Sequence, residues 1–234
     1  MRIGVDTKKY AASATENTSF RAVVECGKLN GSAAALKIVF DKVFSILALM
    51  FFAPFLLLIS GAILLTEGGP VFFRHQRVGH NGKSFGCLKF RTMAVDAEAR
   101  LQRILESDPV ARAEWEATQK LENDPRITCL GAFLRKTSLD ELPQFWNVIR
   151  GEMSVVGPRP IVADEARRYG DHLEHYLSLR PGVTGLWQVM GRSSTTYDDR
   201  VRMDVHYARY RSFWMDLWII LRTIRVMLNG NGAC

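Results

Sequence analysis

Two carboxylates stand side by side in a basic stretch: Asp140 and Glu141, in LRKTSLDELPQ at 134–144. Adjacent carboxylates can hold a hard divalent cation, and such a cation bridges to phosphate oxygens. Arg135 and Lys136 lie just upstream. Ser138 and Glu141 also match the capping box S-x-x-E, a purely structural use of the same residues. Pro143 argues against the box. With Ser138 as N-cap the proline would be the fifth helical residue, where its N–H is needed. Proline belongs in a first turn, so the helix is predicted to start around Asp140–Leu142 and to run through QFWNVIRG to about Gly151. The carboxylates then sit at a helix mouth, which attracts anions. On this stretch alone a phosphate-handling metal site and a surface cap both remain open.

Further basic residues recur beside Gly, Pro or aromatics: Lys89-Phe90-Arg91, Arg159 between Pro158 and Pro160, and Arg180 before Pro181-Gly182. Turns of fixed shape that carry a guanidinium suit bidentate phosphate recognition. Singly, each also fits a plain surface charge. There is no Walker A motif, no G-x-G-x-x-G and no RNA-binding aromatic signature, so no nucleic-acid partner is expected. The net charge of +7 still favours an anionic partner.

Something must position these groups. With 234 residues the chain can form one domain with its own core. Its 47% apolar and 24% charged residues exclude a disordered or collagen-like chain. Cys26, Cys87, Cys129 and Cys234 are far apart, with no C-x-x-C and no histidine at zinc-ligand spacing, which predicts reduced thiols. Val43 to Leu65 is a run of 23 uncharged residues, long enough to cross a bilayer. Its flanks are both basic: seven Lys/Arg against four Asp/Glu over 1–42, and five against one over 66–92. Basic flanks prefer the cytoplasm, so a simple span puts one on the wrong side. Pro54, behind Ala53, divides the run into halves of 11 residues, each about 16 Å long. A re-entrant helix–break–helix with its bend at Ala53-Pro54 keeps both ends on one face; a kinked span is the rival.

Asn81-Gly82, flanked by apolar and aromatic residues over 70–92, predicts a β-hairpin with a type I′ turn. Residues 93–122 read as two solvent-facing helices interrupted at Pro109, and 161–178 as a helix between Gly/Pro-rich stretches. A last helix is predicted over 205–228. Tyr210, Trp214, Leu217, Leu221, Ile224 and Leu228 form one apolar face flanked by Arg211, Arg222 and Arg225. That face suits a membrane interface or a domain core. Residues 1–36 show no firm period and are expected to be a mobile tail, leaving 37–234 as the domain.

The sequence resembles the bacterial sugar transferase family, the monotopic polyprenyl-phosphate phosphoglycosyl transferases. The resemblance rests on KIVFDKVFSI at 37–46, GGPVFFRHQRVGHNGKSF at 68–85, LKFRTM at 88–93, DPRIT at 124–128, LRKTSLDELPQFWNVIRGEMSVVGPRP at 134–160, LRPGVTGLWQV at 179–189 and YRSFWMDLWIILRTI at 210–224. The compact members most like it are the rhizobial-type galactosyl-phosphate transferases that initiate exopolysaccharide synthesis. The resemblance implies an α+β monotopic membrane fold with a re-entrant helix, a β-hairpin and amphipathic interfacial helices. It also implies transfer of a sugar 1-phosphate, galactose or glucose, from a UDP-sugar to undecaprenyl phosphate with release of UMP. The implied place is the cytoplasmic face of the bacterial inner membrane, among membrane lipids, with homo-oligomerisation left open. By the same resemblance Asp140 is the nucleophile, Mg²⁺ is held by Asp140 and Glu141, and Lys89, Arg135, Arg159 and Arg180 bind phosphate and nucleotide. Two other readings stay in view: a metal-dependent nucleotide-sugar hydrolase, and a non-catalytic scaffold that binds anionic lipid.

Overall fold

The computed structural model describes residues 31–118, 121–190 and 195–228. The expected N-terminal tail therefore lies almost wholly outside the described residues, as do Cys26 and Cys234. The other two cysteines, Cys87 and Cys129, are free thiols.

The first helix, α1, runs from Gly31 to Glu67 and includes Pro54. No non-helical break separates its halves at Ala53-Pro54, which differs from the helix–break–helix drawn from the sequence. Proline costs one N–H and a local clash, and here the turns on both sides carry the helix through. The apolar middle is not a core helix: Met50, Phe51, Leu57 and Leu58 are 69, 72, 74 and 71% exposed. Both ends, in contrast, are fastened to the rest of the chain. Near the N-terminal end Lys37 Nζ lies 2.8 Å from Asp216 Oδ2, and Ser154 Oγ donates to Asp41 Oδ2 at 2.7 Å. Near the other end Ile63 is buried with Phe90 and Leu134, and Arg91 donates to Gly68 O at 2.6 Å, a cap on the helix C-terminus.

The expected hairpin is present. Strand β1 (Phe72–Val78) pairs antiparallel with β2 (Ser84–Phe90), Val78 opposite Ser84. At the tip Asn81 and Gly82 hold φ of 55° and 73°, and Lys83 N–H returns to His80 O at 3.2 Å. The two helices expected before residue 122 are α2 (Ala97–Ser107) and α3 (Pro109–Thr118). Next comes α4 (Cys129–Thr137), which the sequence reading lacks. Thr128 caps it, Oγ1 accepting from Gly131 N–H at 2.9 Å.

Helix α5 (Gln144–Ile149) leads into β3 (Ser154–Val156), which pairs in parallel with β4 (Gly182–Thr184). Asn147 of α5 acts as a third strand against the free edge of β2. Its Oδ1 accepts from Leu88 N–H at 2.9 Å and its Nδ2 donates to Gly86 O at 2.9 Å. The single helix expected over 161–178 is instead a 3-10 stretch, Ala163–His172, kinked at Gly170, followed by the short α6 (Leu173–Leu177).

Helices α7 (Leu186–Met190), α8 (Tyr197–Tyr210) and α9 (Phe213–Leu228) are the last elements among the described residues. The helix predicted over 205–228 is thus two. The chain turns extended at Arg211, ψ 137°, and Ser212 restarts the helix by accepting Met215 N–H on its Oγ at 3.2 Å. Tyr210 falls on α8, so the apolar phase read across the break is not one face. On α9 itself, Asp216, Ile219 and Ile220 are buried, while Trp214, Leu221 and Ile224 are exposed. The main core joins the hairpin (Phe85, Cys87), α5 and β3 (Val148, Val155, Val156) and α8 and α9 (Tyr207, Ile219).

Candidate active site

Helix α4 stops where Ser138 takes a left-handed conformation, φ 58°. A 3-10 turn, Leu139–Glu141, follows, and Pro143 then fills the N-cap position of α5. Ser138 makes no side-chain cap bond, so the capping box is not formed. The carboxylates occupy a tight turn between two helices, with Arg135 and Lys136 in the last turn of α4.

From β2, Lys89 reaches across to both carboxylates. Its Nζ lies 2.6 Å from Glu141 Oε1 and 3.6 Å from Asp140 Oδ2. The other cations divide between the two sides of this bridge. Arg159 and Arg77 share a pocket with Lys89, Glu141 and Gln144, while Arg135 acts on Asp140 and donates from Nε to Thr92 Oγ1 at 2.9 Å. Arg159 and Arg200 lie 5.7 and 5.1 Å from the centroid of the Trp187 indole, which holds Arg159 at the pocket rim.

Burial raises the Asp140 pKa above the ordinary range, and the Glu141 charge adds to it; Lys89 and Arg135 offset only part. Burial would raise Glu141 too, but there the attraction and hydrogen bond of Lys89, helped by Arg159 and Arg77, prevail and hold it low. The neighbours are therefore unlike: the same cations that hold Glu141 low do not fully offset the burial of Asp140.

The pocket is closed on one side by backbone packed on backbone. A Cβ at Gly182 would run into Gly157 N and Thr184 O, and one at Gly185 into Gly157 O. Only glycine allows β3 and β4 to approach this closely, and Arg159, two residues beyond Gly157, shares the pocket with Glu141. Cys87 also lines the pocket, and burial pushes its thiol up to about 11. A separate hollow between α2 and α3, around Leu101, Leu105 and Trp115, shares no residue with this one.

The structure therefore brings together Lys89, Asp140, Glu141, Arg159 and, on the far side of Asp140, Arg135. It does not bring Arg180 to them. Arg180 does not line the pocket; its charge, with those of Arg211 and Lys83, adds to burial in lowering the pKa of His80 at the hairpin tip. The sequence reading missed Arg77, Gln144 and Trp187 as site residues. Only Gln144 had a local signal, standing four positions after Asp140. Among the described residues no cluster of three His, Cys, Asp or Glu joins the dyad. The donor set still fits Mg²⁺, which takes one or two carboxylates and completes its shell with water and phosphate oxygens. Asp140 and Glu141 already converge on a single cation, the Lys89 ammonium.

A basic pocket around paired carboxylates, in a small α+β domain fastened to both ends of a long exposed apolar helix, defines a membrane-associated protein. The bacterial sugar transferase family matches residues 32–230, and the chain belongs to that family. It is 45% identical to an exopolysaccharide production protein of Sinorhizobium fredii, over 95% of this chain and 99% of that one. It is 52% identical to an uncharacterized sugar transferase of Haemophilus influenzae, over 86% of this chain and 43% of the relative. It is 49% identical to the undecaprenyl-phosphate galactose phosphotransferase of Salmonella typhimurium, over 86% of this chain and 42% of the relative. The chain thus spans less than half the length of the latter two.

Proposed function

We propose that this chain transfers a sugar 1-phosphate from a UDP-sugar to undecaprenyl phosphate, releasing UMP and forming the undecaprenyl-diphosphate sugar that begins exopolysaccharide synthesis. Galactose, the sugar in the name of the Salmonella relative, is the first choice and glucose the second. The observation that carries this reading is the Lys89 bridge to Asp140 and Glu141, walled by Arg159, Arg77 and Arg135.

In this mechanism an Asp140 carboxylate oxygen attacks the β-phosphorus. The bond from that phosphorus to the bridging oxygen breaks, and its electron pair leaves with UMP. The product is a sugar-phosphoryl aspartate. An oxygen of undecaprenyl phosphate then attacks the same phosphorus, and Asp140 leaves as carboxylate. Splitting the transfer in two keeps the anionic donor and acceptor from meeting directly. Arg159 and Arg77 bind the diphosphate, and Arg135 with Lys89 favours the ionised, attacking form of Asp140. Mg²⁺ held by Asp140 and Glu141 would supply charge neutralisation of the diphosphate.

The same reading places the site on the cytoplasmic face of the inner membrane, with α1 entering and leaving on one side. Support comes from the two ends of α1. Lys37 and Asp41 bind Asp216 and Ser154, while Glu67 and Gly68 meet Arg91. One folded unit therefore grips both ends of the helix, and both flanks are basic, as a cytoplasmic location favours. The exposed face of α9, with Trp214, Leu221 and Ile224, suits the lipid interface.

The test is UMP release without lipid. Wild-type enzyme should give a burst of at most one UMP per active site and gain the mass of a sugar phosphate on the peptide holding Asp140, and Asp140→Asn should give neither. An active enzyme that forms no adduct and shows intersecting two-substrate kinetics leaves Asp140 without a nucleophilic role. Turnover that continues without lipid would instead favour the hydrolase reading.

A further inference from the structure

Gln144 is a buried polar residue that the mechanism above does not use. It is 2% exposed and lines the pocket with Lys89, Glu141 and Arg159. Among the described residues its side-chain amide has no hydrogen-bond partner. Asn147, one turn further along the same helix and 3% exposed, spends its amide on Leu88, Gly86 and Glu152. The Gln144 amide is not among the fully buried unpaired polar atoms, so the small exposure it keeps opens on the pocket, where a ligand can complete its hydrogen bonds. Leu142 and Pro143 both hold right-handed helical dihedrals, φ −53°, ψ −37° and φ −61°, ψ −17°. The backbone bonds here run i to i+3, Leu142 N–H to Leu139 O and Phe145 N–H to Leu142 O, so Gln144 follows Glu141 on one side of the turn, and both line the pocket beside the Lys89 that also reaches Asp140.

Resting on the covalent reading of Asp140, we propose that Gln144 is a further catalytic residue, whose amide N–H donates to a non-bridging oxygen of the sugar phosphoryl group as it is transferred. Those oxygens carry the charge of the in-line transition state. A fixed neutral donor in a site sheltered from water stabilises it without reorganising. Lys89 is engaged by Glu141 and Asp140, so a donor at the start of α5 adds a contact the ammonium does not make. The amide moves no proton and forms no bond to phosphorus.

The experiment compares Gln144→Met, which keeps the shape and loses the donor, with Gln144→Glu, which is nearly isosteric. Rapid-quench UMP release from UDP-galactose is followed without lipid. For Gln144→Met the burst rate constant should fall ~10²-fold, as for loss of one oxyanion donor, while burst amplitude and adduct mass stay those of wild type. The UDP-galactose concentration at half-maximal rate should change by less than about threefold. Gln144→Glu should be slowed at least as much at neutral pH, and its rate relative to wild type at the same pH should recover on acidification, when its carboxyl becomes a donor; a merely structural role does not invert that ratio. Should Gln144→Met not fold, that inversion alone decides. An unchanged rate constant, or a loss entirely in half-saturation, overturns the proposal. A wild-type enzyme with no burst sinks the covalent reading separately. Gln144 is then judged on kcat of the complete reaction with lipid, where a direct transfer needs the same donor and the same loss is expected.

Discussion

Asn147→Ala removes one side chain and orphans three groups. The Leu88 N–H and Gly86 C=O lose the amide that pairs them at 2.9 Å each, and Glu152 loses a donor at 2.6 Å. The alanine cannot reach β2, and Asn147 is 3% exposed, so water does not simply take its place. Each unpaired, partly buried backbone group costs about 1–3 kcal/mol, which puts the total near ~3–5 kcal/mol. That is at the upper end for a single substitution. For a domain of this size it lowers the midpoint of thermal unfolding by about 6–20 °C. Activity should fall further than stability alone explains, because Leu88 adjoins Lys89, and an unpinned β2 lets the ammonium drift from Asp140 and Glu141. Asn147→Asp separates the two bonds. It keeps the acceptor for Leu88 N–H but sets a carboxylate against Gly86 O and Glu152. The new carboxyl's pKa is then raised in the folded state above its unfolded value. The penalty is absent when it is protonated and complete above the folded pKa, so this variant should gain stability as pH falls through that window. Scanning calorimetry in lipid nanodiscs measures both variants. A midpoint shift under about 2 °C for Asn147→Ala would mean that β2 needs no third partner and that the strand-like role of Asn147 is wrong.

Gly182→Ala drives a Cβ into Gly157 N and Thr184 O, backbone atoms that cannot rotate away, so little folded protein should be recovered; normal yield and melting would refute the close β3–β4 contact. Because burial and the Glu141 charge both raise the Asp140 pKa, the burst rate should decline on acidification through a pKa above the ordinary aspartate value. Glu141→Gln should move that decline to lower pH by removing the like charge, and a decline that stays put would show that the titrating group is not Asp140. Cysteines introduced at Ser32 and Lys83 should both resist membrane-impermeant labelling in intact cells; labelling of only one would turn α1 into a span.

Some features are set by local residues alone. Asn81-Gly82 sets its own turn through two positive φ values, and neighbouring residues alone mark the Asp140-Glu141 pair as chemistry. The helix break at Ser212 and the cap at Thr128 were equally local. They were passed over because an apolar period continued across the first and the second opens a helix of only nine residues. The choice of cations is a different matter. Lys136, four positions from Asp140 in the chain, is exposed, and the bridging cation is Lys89, which reaches Glu141 from 52 positions away. Likewise Arg159 shares the pocket with Glu141 and Arg180 does not, where two three-residue strands pair in parallel with three glycines at their contact. Strands that short carry no readable period, and their pairing lives only in the packed fold. The residue types thus suggest phosphate chemistry to the reader of the sequence, but the long-range partners of the carboxylates follow from the hairpin, Asn147 and the glycine contact. The hairpin and Asn147 place the Lys89 that favours the ionised form of Asp140, and the glycine contact places the Arg159 that does the same for Glu141.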